Sequence, residues 1–468
     1  MKPTFFAFVA LLSIILTGCK DKAGKADDLR LEDKFEEAAE LYKQAADEGN
    51  AYAKWRLARA YGNGDGVDYN EEKAWSLLNE ASKEGCPQAT CDVALAYIYG
   101  WYGIEKDEEK GKEMLVNLCK KTQDSYSLAR YAFELLSGNS FEKNEAKAMA
   151  ILEKVKDKNA PQYLRTMSYI YFSGTDKIEK DLDKAIEFLT KAYENGSASA
   201  AYSLGTLYSI DNKAFGKSAD HGQAIKWFEN GIKRNDTESM MVMARICLTE
   251  DTVYEKWHDV NKGISLCEKA ARHGDGDGYA QLGLMYGSGD NVYKDEEKSF
   301  EYYTKSYELR SAWGTNNLGA CYIEGTGCEK DIDKALELFQ KASDWGQGKA
   351  SENLYKYYYY SNQYRPHKTD KELAKKYILL SVKQGNVDGN KDLAYHYYNG
   401  TELFEKNVFK AFDYYKQAAD MGDIDACQQV AYMYENGIGC KRDPDKAKKY
   451  GDKTKPKDAD KTEEKEKE

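Results

Sequence analysis

Proline and histidine are scarce in this 468-residue chain, numbering six and five. With so few prolines, helical segments run on until something else stops them. The histidines (His221, His258, His273, His367 and His396) are scattered, and no two cysteines stand as CxxC. A structural zinc site therefore has no ligand framework, and no metal or other cofactor is expected. Neither HExxH nor GxSxG occurs, so the metalloprotease helix and the serine-hydrolase elbow are both missing. Sustained basic tracts are also missing and the net charge is −11, which argues against a nucleic-acid partner. What the chain has instead is 37 glycines and 38 tyrosines, a composition for short helices separated by sharp turns and surfaced with amphipathic rings.

Apolar runs of membrane length are absent too. The N-terminal run from Phe5 to Leu16, preceded by Lys2, is too short to span about 30 Å of hydrocarbon but has the length of a signal peptide. It ends in Leu16-Thr17-Gly18-Cys19, which resembles the bacterial lipobox, where a lipid is attached to the cysteine and cleavage precedes it. The expected layout is a signal peptide at residues 1–18, a lipidated linker at 19–32, a folded body at 33–450 and a charged disordered tail at 451–468. Membrane contact would run through the lipid on Cys19 alone, placing the protein in a bacterial cell envelope, periplasmic or surface-exposed. Nine cysteines remain beyond Cys19; an odd number leaves at least one unpaired within the chain, and a partial set of disulfides stays open.

A repeat organises the body. Gly64, Gly100, Gly138, Gly174, Gly289, Gly325, Gly400 and Gly437 recur with Asp211, Glu250 and Ser361 at steps of 36–39 residues. Three residues before most of them stands a tyrosine, as Tyr61, Tyr97, Tyr171, Tyr208, Tyr286, Tyr322, Tyr397 and Tyr434. Four residues earlier again comes a leucine in several copies, as Leu57, Leu204, Leu282, Leu318 and Leu393. These positions share one stripe of a short helix, A. After the loop, Asn70, Asp107, Asn144, Asp181, Asp295, Asp331, Asn407 and Asp443 each precede a lysine by three residues and are suited to N-cap a second helix, B. Glycines such as Gly346 then end helix B in the left-handed conformation. The spacing predicts an all-α, right-handed α-solenoid of about eleven helix-turn-helix repeats.

These residues resemble the Sel-one-like repeat, a relative of the tetratricopeptide repeat. Gly314 to Gly346 is the best copy, carrying Leu318, Gly319, Tyr322, Gly325, Gly327, Asp331, Lys334, Ala335, Phe339 and Ala342. Copies around Leu115, Ala132, Ala244 and Leu354 are weak. The resemblance implies a scaffold or adaptor that binds a protein or peptide partner, with no catalytic residues. Its alternative is a peptidoglycan- or β-lactam-directed envelope hydrolase, an activity suggested for cysteine-rich members. Their disulfide scheme does not carry over, because Ala419 occupies the position that should pair with Cys427.

In related solenoids the stripe opposite the packed face of helix A lines the groove. Here it selects Leu95, Ile98 and Tyr99 in the second repeat, and Lys356, Tyr359, Tyr360, Lys391, Tyr395, Tyr398, Tyr432 and Glu435 toward the C-terminus. Tyrosine suits recognition because a rigid ring buries area while its hydroxyl still hydrogen-bonds. The same rings equally suit packing within or between repeats. Longer A-to-B loops at Asp211–Gly222, Glu250–Asn261 and Ser361–Glu372 form a second candidate contact surface. Ser140-x-x-Lys143 and Gly216-Lys217-Ser218 lack the companion motifs of acyl-serine and nucleotide sites, and Gly274-Asp275-Gly276-Asp277-Gly278 lacks the rest of a calcium loop.

Overall fold

The computed structural model describes residues 22–360 and 369–454. The expected signal segment, Cys19 and most of the charged tail lie outside the described residues. Helix α1 (residues 22–31) and α2 (Phe35–Asp47) lead into eleven A/B pairs. These are α3/α4 (Ala51–Asn63, Glu71–Lys83), α5/α6 (Pro87–Tyr99, Glu108–Lys121), α7/α8 (Ser125–Ser137, Glu145–Lys154) and α9/α10 (Pro161–Ser173, Leu182–Glu194). There follow α11/α12 (Ala198–Ser209, His221–Lys233), α13/α14 (Thr237–Leu248, Val260–Arg272) and α15/α16 (Gly276–Ser288, Glu296–Glu308). The array closes with α17/α18 (Ala312–Glu324, Ile332–Asp344), α19/α20 (Gly348–Tyr359, Lys371–Lys383), α21/α22 (Val387–Asn399, Val408–Asp420) and α23/α24 (Ile424–Asn436, Pro444–Asp452). The fold is thus an all-α solenoid, and the weak copies form helix pairs as complete as the strong ones.

Every B-helix cap read from the sequence is in place. Asp331 Oδ1, for example, accepts the Lys334 N–H at 3.0 Å, and the other seven side chains bond their own third helical residue in the same way. The lysine at that third position has a second role: its ammonium lies over the tyrosine ring of the preceding helix A. Lys298 sits 3.9 Å from the Tyr286 centroid, Lys110 3.7 Å from that of Tyr97 and Lys334 4.8 Å from that of Tyr322. Eight of the eleven A-to-B loops are thereby clamped from both ends. Gly325 ends helix α17 with φ +76°, and Gly327 lies so close to the preceding pair that a Cβ there would stand 2.2 Å from the Glu296 carbonyl oxygen. Only glycine permits both that approach and its φ of +69°.

The chain divides into two compact units, Met1–Gly278 and Tyr279–Glu468. In the first, residues expected to form a linker are instead helix α1, with Ala23 and Ala26 buried. Its charged residues disguise a short apolar face, and they are occupied: Asp27 accepts the hydroxyls of Tyr42 (2.6 Å) and Tyr52 (2.8 Å) and pairs with Arg56 at 2.7 Å. The leading segment also reaches turns far along the chain. Arg30 donates to the Gly196 carbonyl, Arg234 pairs with Asp33 at 2.9 Å, and His273 Nδ1 lies 2.8 Å from the Asn63 carbonyl. The leading segment and first repeat of this unit therefore close against the turns that end the fourth to sixth pairs, after α10, α12 and α14.

In the second unit, the core between repeats is built from small and aromatic residues. Ala335, Phe339, Ala350, Leu354, Tyr355, Tyr377, Ile378 and Leu393 form one cluster, and Ala411, Phe412, Val430, Met433 and Tyr434 another. Helix α24 runs to Asp452, two residues past the expected end of the array. All nine cysteines among the described residues are free thiols. No helix among the described residues is long and apolar enough to cross a membrane.

Candidate functional site

Helices α19, α21 and α23 are successive A helices of the second unit, and their unshared faces carry an aromatic run. Helix α19 departs furthest from the repeat consensus, ending Tyr357-Tyr358-Tyr359 with Tyr360 after it. Tyr355 packs inward and stacks on Tyr359 with centroids 5.6 Å apart, while Tyr359 meets Tyr360 edge-on at 4.8 Å. His396 of α21 holds the run from behind. It is buried, with Nε2 2.8 Å from the Tyr355 hydroxyl and Nδ1 2.8 Å from Thr401 Oγ1, one ring nitrogen donating and the other accepting. Burial lowers its pKa, so the ring is neutral at pH 7. Tyr359 and Tyr395 both lie edge-on to this imidazole, at 4.9 and 6.0 Å.

Beside the run is a cavity of 520 Å³ lined by Tyr360, Lys391, Asp392, Tyr395, Tyr398, Asn399, Tyr415, Asp425, Ala426 and Gln429. That volume suits a long side chain with its flanking backbone. Tyr360 is 49% and Tyr395 55% exposed, so the cavity opens onto a wider aromatic surface. The lysines nearby are all engaged. Lys391 pairs with Asp423 at 2.8 Å and Asp388 at 3.2 Å, Lys349 with Glu352 at 2.9 Å and Asp388 at 3.0 Å, and Lys356 with Glu352. Glu352 is buried between its two lysines. Asp392 has no such partner: it makes no hydrogen bond or ion pair among the described residues, and its Oδ2 is sealed from solvent. Desolvation pushes its carboxyl up to about 6, against the opposing charge of Lys356 and with smaller contributions from Glu352 and Asp388.

The structure brings Tyr360, Lys391, Tyr395 and Tyr398 together around this cavity, with Tyr359 behind Tyr360. Lys356 belongs to the Glu352 ion pair, and Tyr432, 53% exposed, lies outside the lining. Glu435 is paired with Arg442 at 2.7 Å. The second repeat corrects the expectation. Leu95 and Ile98 are each 1% exposed and belong to the core with Leu115, Leu128 and Leu136, because α6 approaches closely at Gly111 and α7 packs alongside. Tyr99 donates to the buried Glu134 at 2.5 Å, accepts from Ser140 and stacks on Trp101. Its hydroxyl is used internally.

Spacing alone missed Asp392, Tyr415, Asp425 and Gln429. Asp392 sits one residue off the selected stripe, Tyr415 comes from a B helix, and Asp425 and Gln429 come from the first turns of α23. Asn399, six residues past Leu393 as Tyr360 is past Leu354, lies on the stripe itself, from which only the lysine and the tyrosines of α21 were taken. Of the three long loops, two touch each other through His221 Nδ1 and the Tyr254 hydroxyl at 3.0 Å. Most of the third, 361–368, lies outside the described residues.

A succession of capped helix pairs, with tyrosine in A and lysine at the third position of B, defines a repeat scaffold. The chain belongs to the Sel1 repeat family, whose pattern matches residues 32–50, 51–86, 87–116, 166–197, 198–236, 237–275, 276–311, 314–345, 388–423 and 424–453. The unmatched stretch between 345 and 388 is the one containing α19 and its tyrosines. Among curated proteins, the chain is 33% identical over 72 residues to an exopolysaccharide production negative regulator of Rhizobium meliloti (strain 1021), covering 14% of this chain and 27% of that one. It is 26% identical over 308 residues to the chitin synthase regulator SKT5 of Saccharomyces cerevisiae (strain ATCC 204508 / S288c), covering 61% and 42%. The chain thus spans well under half the length of these relatives. Among solved structures, it is similar to a Sel1 repeat protein from Oxalobacter formigenes at 27% identity, covering 55% of this chain and 99% of that one with a TM-score of 0.44. A second is c5321, a protective antigen of uropathogenic Escherichia coli with an SLR fold, at 22% identity, 88% and 86% coverage and a TM-score of 0.40.

Proposed function

We propose that this protein is a lipid-anchored scaffold of a bacterial cell envelope that holds a protein or peptide partner in the tyrosine-lined groove of its second unit. The observation that carries the reading is the cavity at Asp392, where an unpaired carboxylate and exposed tyrosine rings stand together on successive A helices. Membership of a repeat family built as a platform supports it, since a solenoid's ligand is set by local surface residues. The two curated relatives bear the names of regulators, a role that adaptors fill. The anchor rests on the Leu16-Thr17-Gly18-Cys19 pattern.

Two measurements test this. Metabolic labelling with a fatty-acid analogue should mark the wild-type chain and not Cys19→Ser; equal labelling would remove the anchor. A photo-crosslinking amino acid placed at Tyr395 should capture one protein in cells, whereas the same probe at exposed Tyr293, elsewhere in the second unit, should not. Equal capture at both positions would remove the groove.

A further inference from the structure

The charge around the cavity is unbalanced in a way that names its occupant. Among the described residues Lys391 is the sole cation in the lining, and Asp388 and Asp423 already neutralise it. The two carboxylates that line the cavity, Asp392 and Asp425, are in no ion pair among the described residues. A buried carboxylate oxygen without a donor is unfavourable and is rare in folded proteins. The walls are Tyr360, Tyr395, Tyr398 and Tyr415, and aromatic faces attract cations. An acidic or purely apolar occupant would leave Asp392 uncompensated. A cationic one satisfies both the carboxylates and the rings.

We infer that the cavity receives a lysine or arginine side chain of the partner polypeptide, with Asp392 as its counter-ion and the four tyrosines as its aromatic enclosure. This rests on the groove reading and specifies its chemistry. The bound cation favours the ionised carboxylate, so occupancy falls as Asp392 is protonated. The groups facing Asp392 are Lys349, Glu352 and Lys356 from α19, Asp388 on its own helix, Tyr415 from α22 and Asp425 from α23.

The test uses the full chain and a random dodecapeptide display library, with cadaverine as a free diamine control. Selected peptides should share a lysine or arginine, and replacing it by norleucine or citrulline should weaken binding at least tenfold. Asp392→Asn, isosteric and uncharged, should weaken binding of the parent peptides similarly. Lowering the pH from 7.5 to 5 should weaken binding to the wild type and leave the Asn variant's residual binding unchanged. If peptides bind, lose binding in the Tyr359/Tyr360/Tyr395/Tyr398→Ala variant, yet carry no basic residue or ignore Asp392→Asn, the cation inference falls and the groove stands. If no selected peptide responds to the tyrosine variant, both fall. Cadaverine binding as tightly as the peptides would overturn the polypeptide source.

Discussion

Lys391 reaches from α21 to Asp423 at the N-cap of α23, its ammonium 2.8 Å from the Asp423 carboxylate. This ion pair spans the step between two repeats and uses up the one positive charge that the described residues place in the cavity. Its neighbour Asp392 has no partner among the described residues. The contrast between adjacent residues on one helix sets the chemistry of the groove, and several measurable consequences follow from it.

Asp392 should trade stability against binding. Its carboxyl titrates near 6, above its ordinary 3.8, so the folded protein holds this proton more tightly than the unfolded chain. The resulting stabilisation is complete below about pH 4 and is lost as pH rises through about 6. Asp392→Asn should therefore stabilise the second unit by about 1–2 kcal/mol at pH 7.5, after discounting for partial exposure. Urea unfolding at pH 7.5 checks this; a destabilised Asn variant would mean that the carboxylate is satisfied in the free protein.

His396 responds in the opposite direction. Its folded pKa lies below the ordinary 6.5, so its contribution is present above that value and fades as pH falls below it. Removing the ring would strand the Tyr355 hydroxyl and open a cavity, so His396→Ala should cost about 2–3 kcal/mol. Urea unfolding of the Asp392→Asn, His396→Ala double variant should be less pH-dependent between 5 and 7.5 than that of either single variant. An unchanged pH slope would contradict the assignment.

Replacing Lys391 separates structure from recognition. Lys391→Met should cost about 1 kcal/mol in stability, since the pair is partly exposed. It also leaves Asp423 without its cation and Asp388 with Lys349 alone, adding negative potential, so a basic peptide should bind about threefold more tightly at low salt. Weaker binding in titration calorimetry would show that Lys391 itself touches the ligand.

The loop glycines predict graded effects. A Cβ at Gly327 would stand 2.2 Å from the Glu296 carbonyl oxygen, whereas one at Gly346 meets nothing within 4 Å despite φ +95°. Gly327→Ala should cost about 3 kcal/mol or more and Gly346→Ala about 1–2 kcal/mol. Equal costs, measured by chemical unfolding, would show that backbone strain alone matters at Gly327.

Much of this architecture was legible from spacing because a solenoid repeats its local rules. The caps at Asp331 and Asn407, the turn at Gly325 and the packed stripe at Leu318 and Tyr322 are each set within a few residues. Two things were not legible. Helix α1 hides a narrow alanine face among charges, and its tyrosine partners arrive from α2 and α3. The groove's depth depends on which neighbours fill it: Leu95 and Ile98 occupy the same register as Tyr395 and Tyr398, yet close packing by α6 and α7 buries the first pair. Asp392 becomes notable only when its surroundings are seen to supply no donor. Tyr415 joins the wall from a B helix, whereas the groove stripe was read on helix A alone.

The most direct test of the central claim compares wild-type protein with the Tyr359/Tyr360/Tyr395/Tyr398→Ala variant in the native cell. Both are crosslinked, extracted in mild detergent and purified, and the variant's fold is checked by circular dichroism. One protein should co-purify with the wild type in a fixed ratio and be lost from the folded variant. The same protein retained in the same ratio by the folded variant would contradict the groove as the binding site.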